Sequence, residues 1–254
     1  MKHGEDELNR VFFTTLLQLG KLSNFYSTLL TGLPYGTIKQ ISEMEATGEE
    51  LYADGTLASW LKKPAQIDAF YKIMKEQTQQ IYKQITEDSK RSLDAVAIVF
   101  AHGVLVTSVY GYLEVLSLAS PESFRSYTHT KQVSLSEVES KSYDQLHKER
   151  IKKFMEGTVE RNSLIYKLDK LHEIAKPTDT QMNPKHKYER ERLEGFDKAR
   201  HDIVHGNNWR SYSIDFTQES FYWGLLNFYL LRVVVQKTGL KLSQEGGEKY
   251  FLGL

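Results

Sequence analysis

The chain has 254 residues, 33 Lys and Arg against 33 Asp and Glu, and no cysteine. Its length suits one large domain or a domain with an appendage, with enough material to bury a real core. Zero net charge excludes a global basic field, so any nucleic-acid contact must be a local patch. The missing cysteine excludes disulfides and thiolate chemistry and favours a cytoplasmic setting.

In chain order, MKHGEDELNR is charged and lacks an apolar signal core. Residues 5–30 carry Val11, Phe12, Leu16, Leu17, Leu19, Leu22 and Phe25 at helical spacing. Gly32-Leu33-Pro34-Tyr35-Gly36 is expected to break that helix. A short helix over 37–47, a loop over 48–55 and an apolar turn ending at Pro64 follow. Residues 1–63 therefore read as an N-terminal helical extension.

Residues 65–86 place Ile67, Phe70, Ile73, Met74, Ile81 and Ile85 near helical spacing, and a second helix is expected over 89–120, ended by Pro121. Its uncharged run Ala95–Leu113 has the length of a membrane span. However, it carries His102, Gly103, Thr107 and Ser108 between Asp94 and Glu114. A buried central helix is expected instead, with no membrane contact and with His102 as a satisfied core or interface histidine.

Residues 122–132 read as turns, and Ser134-Leu135-Ser136-Glu137 as the capped start of a surface helix to about Met155. Leu164, Ile165, Leu168, Leu171 and Ile174 mark a helix over 162–175, and 176–184, with two prolines, is the clearest loop. After a connector over 209–216, residues 218–237 form a strongly aromatic helix suited to the core or to a dimer interface. Residues 241–254 form a tail. The absence of any βαβ rhythm makes the expected fold all-α: a multi-helix bundle of long antiparallel helices, its main domain over 64–240.

The chemistry concentrates in 191–209, ERLEGFDKARHDIVHGNNW. At 100° per residue, Leu193, Phe196, Ala199, Ile203 and Val204 form one apolar face, and Arg200 falls inside it. An unpaired buried guanidinium is costly. It therefore needs a carboxylate partner such as Glu114, a route out along its stem, or an anion at a cleft or subunit interface. His201 and His205 are one turn apart. Gly206 suits the end of the helix. His205 thus falls in the last turn, where carbonyl dipoles favour a cation; the placement suits a proton donor or an ordinary solvated histidine.

Arg200-His201-Asp202-Ile203-Val204-His205, followed by Gly206 and Asn207, resembles the R-x4-6-H motif of the HEPN superfamily. These all-α domains include many metal-independent endoribonucleases. The resemblance covers about residues 64–240. It implies attack of the ribose 2′-OH on the adjacent phosphate, leaving a cyclic phosphate and a 5′-hydroxyl, at a composite site formed by two paired domains. Arg200 would stabilise charge on the phosphate, His205 would act as general acid or base, and His201 fills the family's polar position. Lys198, Asn207 and Arg210 would contact RNA, with Lys185 and Lys187 as further candidates for the phosphate path. A single motif in the chain implies a homodimer. The resemblance further implies RNA as partner, no cofactor or metal, and a toxin or defence effector with an antitoxin or regulatory partner. Many members only bind, so a non-catalytic RNA- or protein-binding module is the second reading. A third treats His201 and His205 as an HxxxH metal pair of a hydrolase, with Asp215 or Glu219 as additional ligands.

Overall fold

The computed structural model describes residues 2–53, 64–128, 141–159, 162–177, 187–206 and 208–243. They form an all-α multi-helix bundle with no strand among the described residues. Its helices are α1 (Lys2–Ala53), α2 (Pro64–Ala119), α3 (Arg125–Thr128), α4 (Tyr143–Phe154), α5 (Leu164–Ala175), α6 (Lys187–Gly206) and α7 (Phe216–Thr238).

Local chemistry explains the boundaries. The Ser163 hydroxyl accepts a hydrogen bond from the Tyr166 amide and starts α5, and left-handed Lys176 (φ 50°) ends it. At α7, the Asp215 carboxylate accepts from the Gln218 amide at 3.2 Å, and Gly239 at φ 69° closes the far end. Helix α4 begins with a reciprocal pair in which Ser142 and Gln145 each cap the other's backbone amide. The cap expected at Ser134 lies outside the described residues; residues 141 and 142 are not helical, so no helix runs unbroken from there to Met155.

Two expected breaks are absent, and the loop expected over 48–55 is helical through Ala53. Helix α1 runs through Pro34, and α2 runs through Glu87-Asp88-Ser89. A proline removes one i→i−4 bond, which long flanking helical segments on both sides can absorb. The second junction contains neither Gly nor Pro, and its polar residues belong to a solvated face. The expected boundary between 63 and 64 adjoins residues outside those described.

One compact unit comprises Met1–Ser23, Ile98–Asn207 and Ile214–Leu254; the other comprises Asn24–Ala97 and Asn208–Ser213. In the first, α1 approaches α2 so closely that a Cβ on Gly111 would lie 2.7 Å from Val11 Cγ2. Phe12 meets Phe228 edge-on with ring centroids 5.1 Å apart. Fully buried Asn227 accepts hydrogen bonds from the hydroxyls of Tyr112 (2.9 Å) and Ser108 (3.3 Å) and donates to the Phe12 carbonyl. Burial raises the Tyr112 phenol well above its ordinary range. The core is therefore mainly apolar, and its buried polar side chains are paired: Asn227 as above, His172 with the Tyr229 hydroxyl, and Lys167 with the Val159 carbonyl.

In the second unit, fully buried Asp94 accepts from the Tyr26 hydroxyl and pairs with Lys90 at 2.7 Å. The segment Lys83–Ala119 is long and apolar enough to cross a membrane, and 56% of its most apolar window is buried within the fold.

Candidate functional site

Helix α6 carries the motif and is fastened along its length. Leu193 and Ala199 are buried, and Phe196 stacks on buried Trp223 with ring centroids 5.7 Å apart. Near its start, Arg190 reaches Asp169 on α5 at 3.2 Å. The Arg192 guanidinium lies 3.5 Å from the centre of the Tyr222 ring and pairs with Glu219 at 2.8 Å. The Tyr222 hydroxyl donates to Glu189 at 2.7 Å. Burial, then that carboxylate, pushes the phenol well above its usual range. Two neighbouring helices thus fix the rotation of α6, and with it the direction in which the motif points.

The apolar face does not remain covered to the end of α6. Val204 is 45% exposed, so the expected five-residue core stripe is buried at Leu193 and Ala199 and opens in the last turn. His201 and His205 are exposed there, their ring centroids 4.9 Å apart. Arg200 as a residue is half-buried, and its Nη1 makes an exposed contact with His205 Nε2 at 3.5 Å. Among the described residues no carboxylate comes within ion-pair reach of Arg200. The partnership with Glu114 is not formed. Glu114 lies instead near Glu7 and Arg10, where burial and then Glu7 raise its carboxyl and Arg10 opposes them. The guanidinium therefore avoids a buried-charge penalty by reaching the surface, where it faces an imidazole.

A second cluster stands beside it. Asp197, one turn before His201, takes a hydrogen bond from His102 Nε2 at 2.6 Å. The same carboxylate accepts the amides of Leu164 and Ile165, each at 3.2 Å, and so caps α5 from another helix. Burial alone would raise this carboxyl. The bond from His102 and the two amides outweigh it and hold the group below the usual carboxylate range. The expectation of a satisfied His102 agrees with this pairing.

These residues border a cavity of about 740 Å³. Val99, His102, Gly103 and Val106 supply one wall from a single face of α2, and Lys198, Arg200 and His201 supply the opposite one. Sequence reasoning missed Asp197, although a usable signal exists. The projection that flags Arg200 places Asp197 about 40° from Leu193, at the edge of the apolar stripe.

The other expected residues divide. Exposed Lys198 joins the cavity. Asn207 and Lys185 lie outside the described residues, and Lys187 is the first residue of α6. Arg210 belongs to the second unit, where its guanidinium lies 3.5 Å from Asp88 and 4.9 Å from the Trp209 ring centre. Asp215 and Glu219, considered as ligands for a metal at His201 and His205, are engaged as a helix cap and as the partner of Arg192. Among the described residues no group of three or more His, Asp or Glu side chains is arranged to hold a metal. Comparison of the chain with protein families, with curated proteins and with solved structures finds no match.

Proposed function

We propose that the chain is a metal-independent endoribonuclease of HEPN type that works as a homodimer. The observation that carries this reading is the convergence of Arg200 Nη1 and His205 Nε2 at 3.5 Å on an open helix end, with no carboxylate neutralising the guanidinium among the described residues. A cation and a proton-transfer group so placed fit a phosphodiester. The resemblance to the HEPN motif supplies the reaction.

In that reaction the ribose 2′-oxygen attacks phosphorus and loses its proton to a base. The bond from phosphorus to the 5′-oxygen breaks, and the leaving oxygen takes a proton from an acid. Arg200 stabilises the charge that develops on the non-bridging oxygens. His205 holds one of the two proton-transfer roles, and the partner subunit's His205 holds the other. The homodimer rests on the resemblance, whose composite site takes two motifs where the sequence carries one. The toxin or defence role under a regulatory partner belongs to the same proposal and rests on the resemblance, and the cytoplasmic setting proposed with it rests on the cysteine-free composition.

The test is cleavage of structured and unstructured RNA in EDTA by wild type and by His205→Ala. General acid–base catalysis is worth about 10²–10⁴-fold, and the variant is expected to lose that much while staying folded. Undiminished cleavage by a folded variant would refute the assignment. RNA binding without turnover in the wild type would replace it with a non-catalytic binding module. Loss of wild-type cleavage in EDTA would favour the metal pair.

A further inference from the structure

The cavity beside Arg200 has two unlike walls. On α2, Val99, Gly103 and Val106 form an apolar strip, and at exposed Gly103 a Cβ would stand in open space, so the strip carries no side chain at its centre. On α6, Lys198 and Arg200 bring two cations beside the Asp197 carboxylate, which His102 and the amides of Leu164 and Ile165 already engage. A ligand suited to both walls has a flat apolar body joined to an anion. The volume of about 740 Å³ falls within the roughly 300–1,000 Å³ typical of small-molecule sites.

His102 adds a polar contact in the apolar wall. Its Nε2 is committed to Asp197, so the ring is fixed in position and Nδ1 is its remaining polar atom. Among the described residues Nδ1 has no partner. Nδ1 accepts a hydrogen bond when the ring is neutral and donates one when it is protonated, and the edge of a heterocycle offers partners for either.

We infer that this cavity is a subsite for the nucleoside of RNA that adjoins the phosphate held by Arg200. The base lies against Val99, Gly103 and Val106, and His102 contacts its edge. The inference rests on the ribonuclease reading for the identity of the chain that delivers the base, and it assigns that enzyme its base-selecting residues. Asp197 is here a positioning residue that acts through His102.

The test uses the full chain and two variants that add bulk to the α2 wall, Gly103→Leu and Val106→Phe, each checked for a wild-type helical circular dichroism spectrum. Binding is measured for inorganic phosphate, for the four ribonucleoside 3′-monophosphates, and for a tetranucleotide with 2′-deoxyriboses that cannot be cleaved. Cleavage-site preference is read on a random RNA pool. Either folded variant is expected to bind the tetranucleotide at least ten-fold more weakly than wild type, to keep its affinity for phosphate, and to lose base preference at one position next to the cut. Wild-type tetranucleotide affinity and an unchanged preference in both folded variants would overturn the subsite while leaving the ribonuclease intact. Nucleotide binding that the variants abolish, in a wild type that cuts no RNA, would leave the subsite and remove the ribonuclease. Equal wild-type affinity for mononucleotide and tetranucleotide would overturn the placement of an RNA chain and indicate a free nucleotide.

Discussion

Replacing Asp197 with Ala should expose how much of the site is held by one carboxylate. The side chain ties α6 to His102 on α2 and caps the first turn of α5. A hydrogen bond to a charged group contributes about 1.5–3 kcal/mol, and loss of a helix N-cap costs about 0.5–2 kcal/mol. The two share one residue and do not simply add, so the expected loss is about 2–4 kcal/mol. In a domain of this size each kcal/mol moves the melting temperature by about 2–4 °C, so Asp197→Ala should melt roughly 5–15 °C lower at pH 7. The folded carboxyl is held below its ordinary range. Its contribution is therefore complete above the unfolded value of about 3.9 and is lost as pH falls through the lower folded value. Thermal melts followed by helical circular dichroism from pH 7 to pH 3 measure both effects. A shift below about 0.5 kcal/mol at pH 7, within the range of ordinary surface substitutions, would refute the account. A difference that does not narrow as pH falls below 4 would refute its electrostatic part.

Gly→Ala at two positions of α2 should act with opposite sign. Gly103→Ala meets open space and should stabilise by about 0.8–1 kcal/mol through helix propensity. Gly111→Ala drives a methyl into buried, rotamer-locked Val11, and overpacking of about 1–3 kcal/mol should cancel or reverse that gain; denaturant unfolding of the pair decides. Asn227→Leu removes the side-chain acceptor of the buried Tyr112 and Ser108 hydroxyls, leaving Tyr112 the longer 3.4 Å bond to the carbonyl of residue 227, and should cost about 1–3 kcal/mol beyond any change in packing, read by the same assay. Serial dilution with parallel sedimentation should show ribonuclease activity falling as dimer gives way to monomer; a fully active monomer contradicts the composite site.

Much of the helical frame was legible because it follows local rules. The apolar rows that end at Ile174 and Leu231, with the turn residues beside them, placed α5 and α7 within a few residues. Pro34 misled because it is a strong local signal that a 52-residue helix absorbs. Ser134 and Ser142 each start an equally good capping pattern, and sequence alone does not choose between them. At the site, periodicity placed Arg200 inside the apolar stripe and His201 beside His205. It did not show that the stripe opens at Val204, because exposure depends on where neighbouring helices stop. The pair of His102 and Asp197 is separated by 95 positions. His102 falls within the apolar run of α2 and Asp197 at the edge of the apolar stripe of α6, but only the packing of α6 against α5 and α2 brings them together.

The most direct test of the central claim is end-group analysis of an RNA oligonucleotide treated with wild type, Arg200→Ala or His205→Ala in EDTA. A matched oligonucleotide carries a 2′-deoxyribose at the cleaved position. The account predicts a 2′,3′-cyclic phosphate and a 5′-hydroxyl from wild type, with no cut at the deoxyribose. Both variants should be slower by about 10²-fold or more. A 5′-phosphate product, or cleavage at the deoxyribose, would contradict attack by the 2′-oxygen at the Arg200–His205 site.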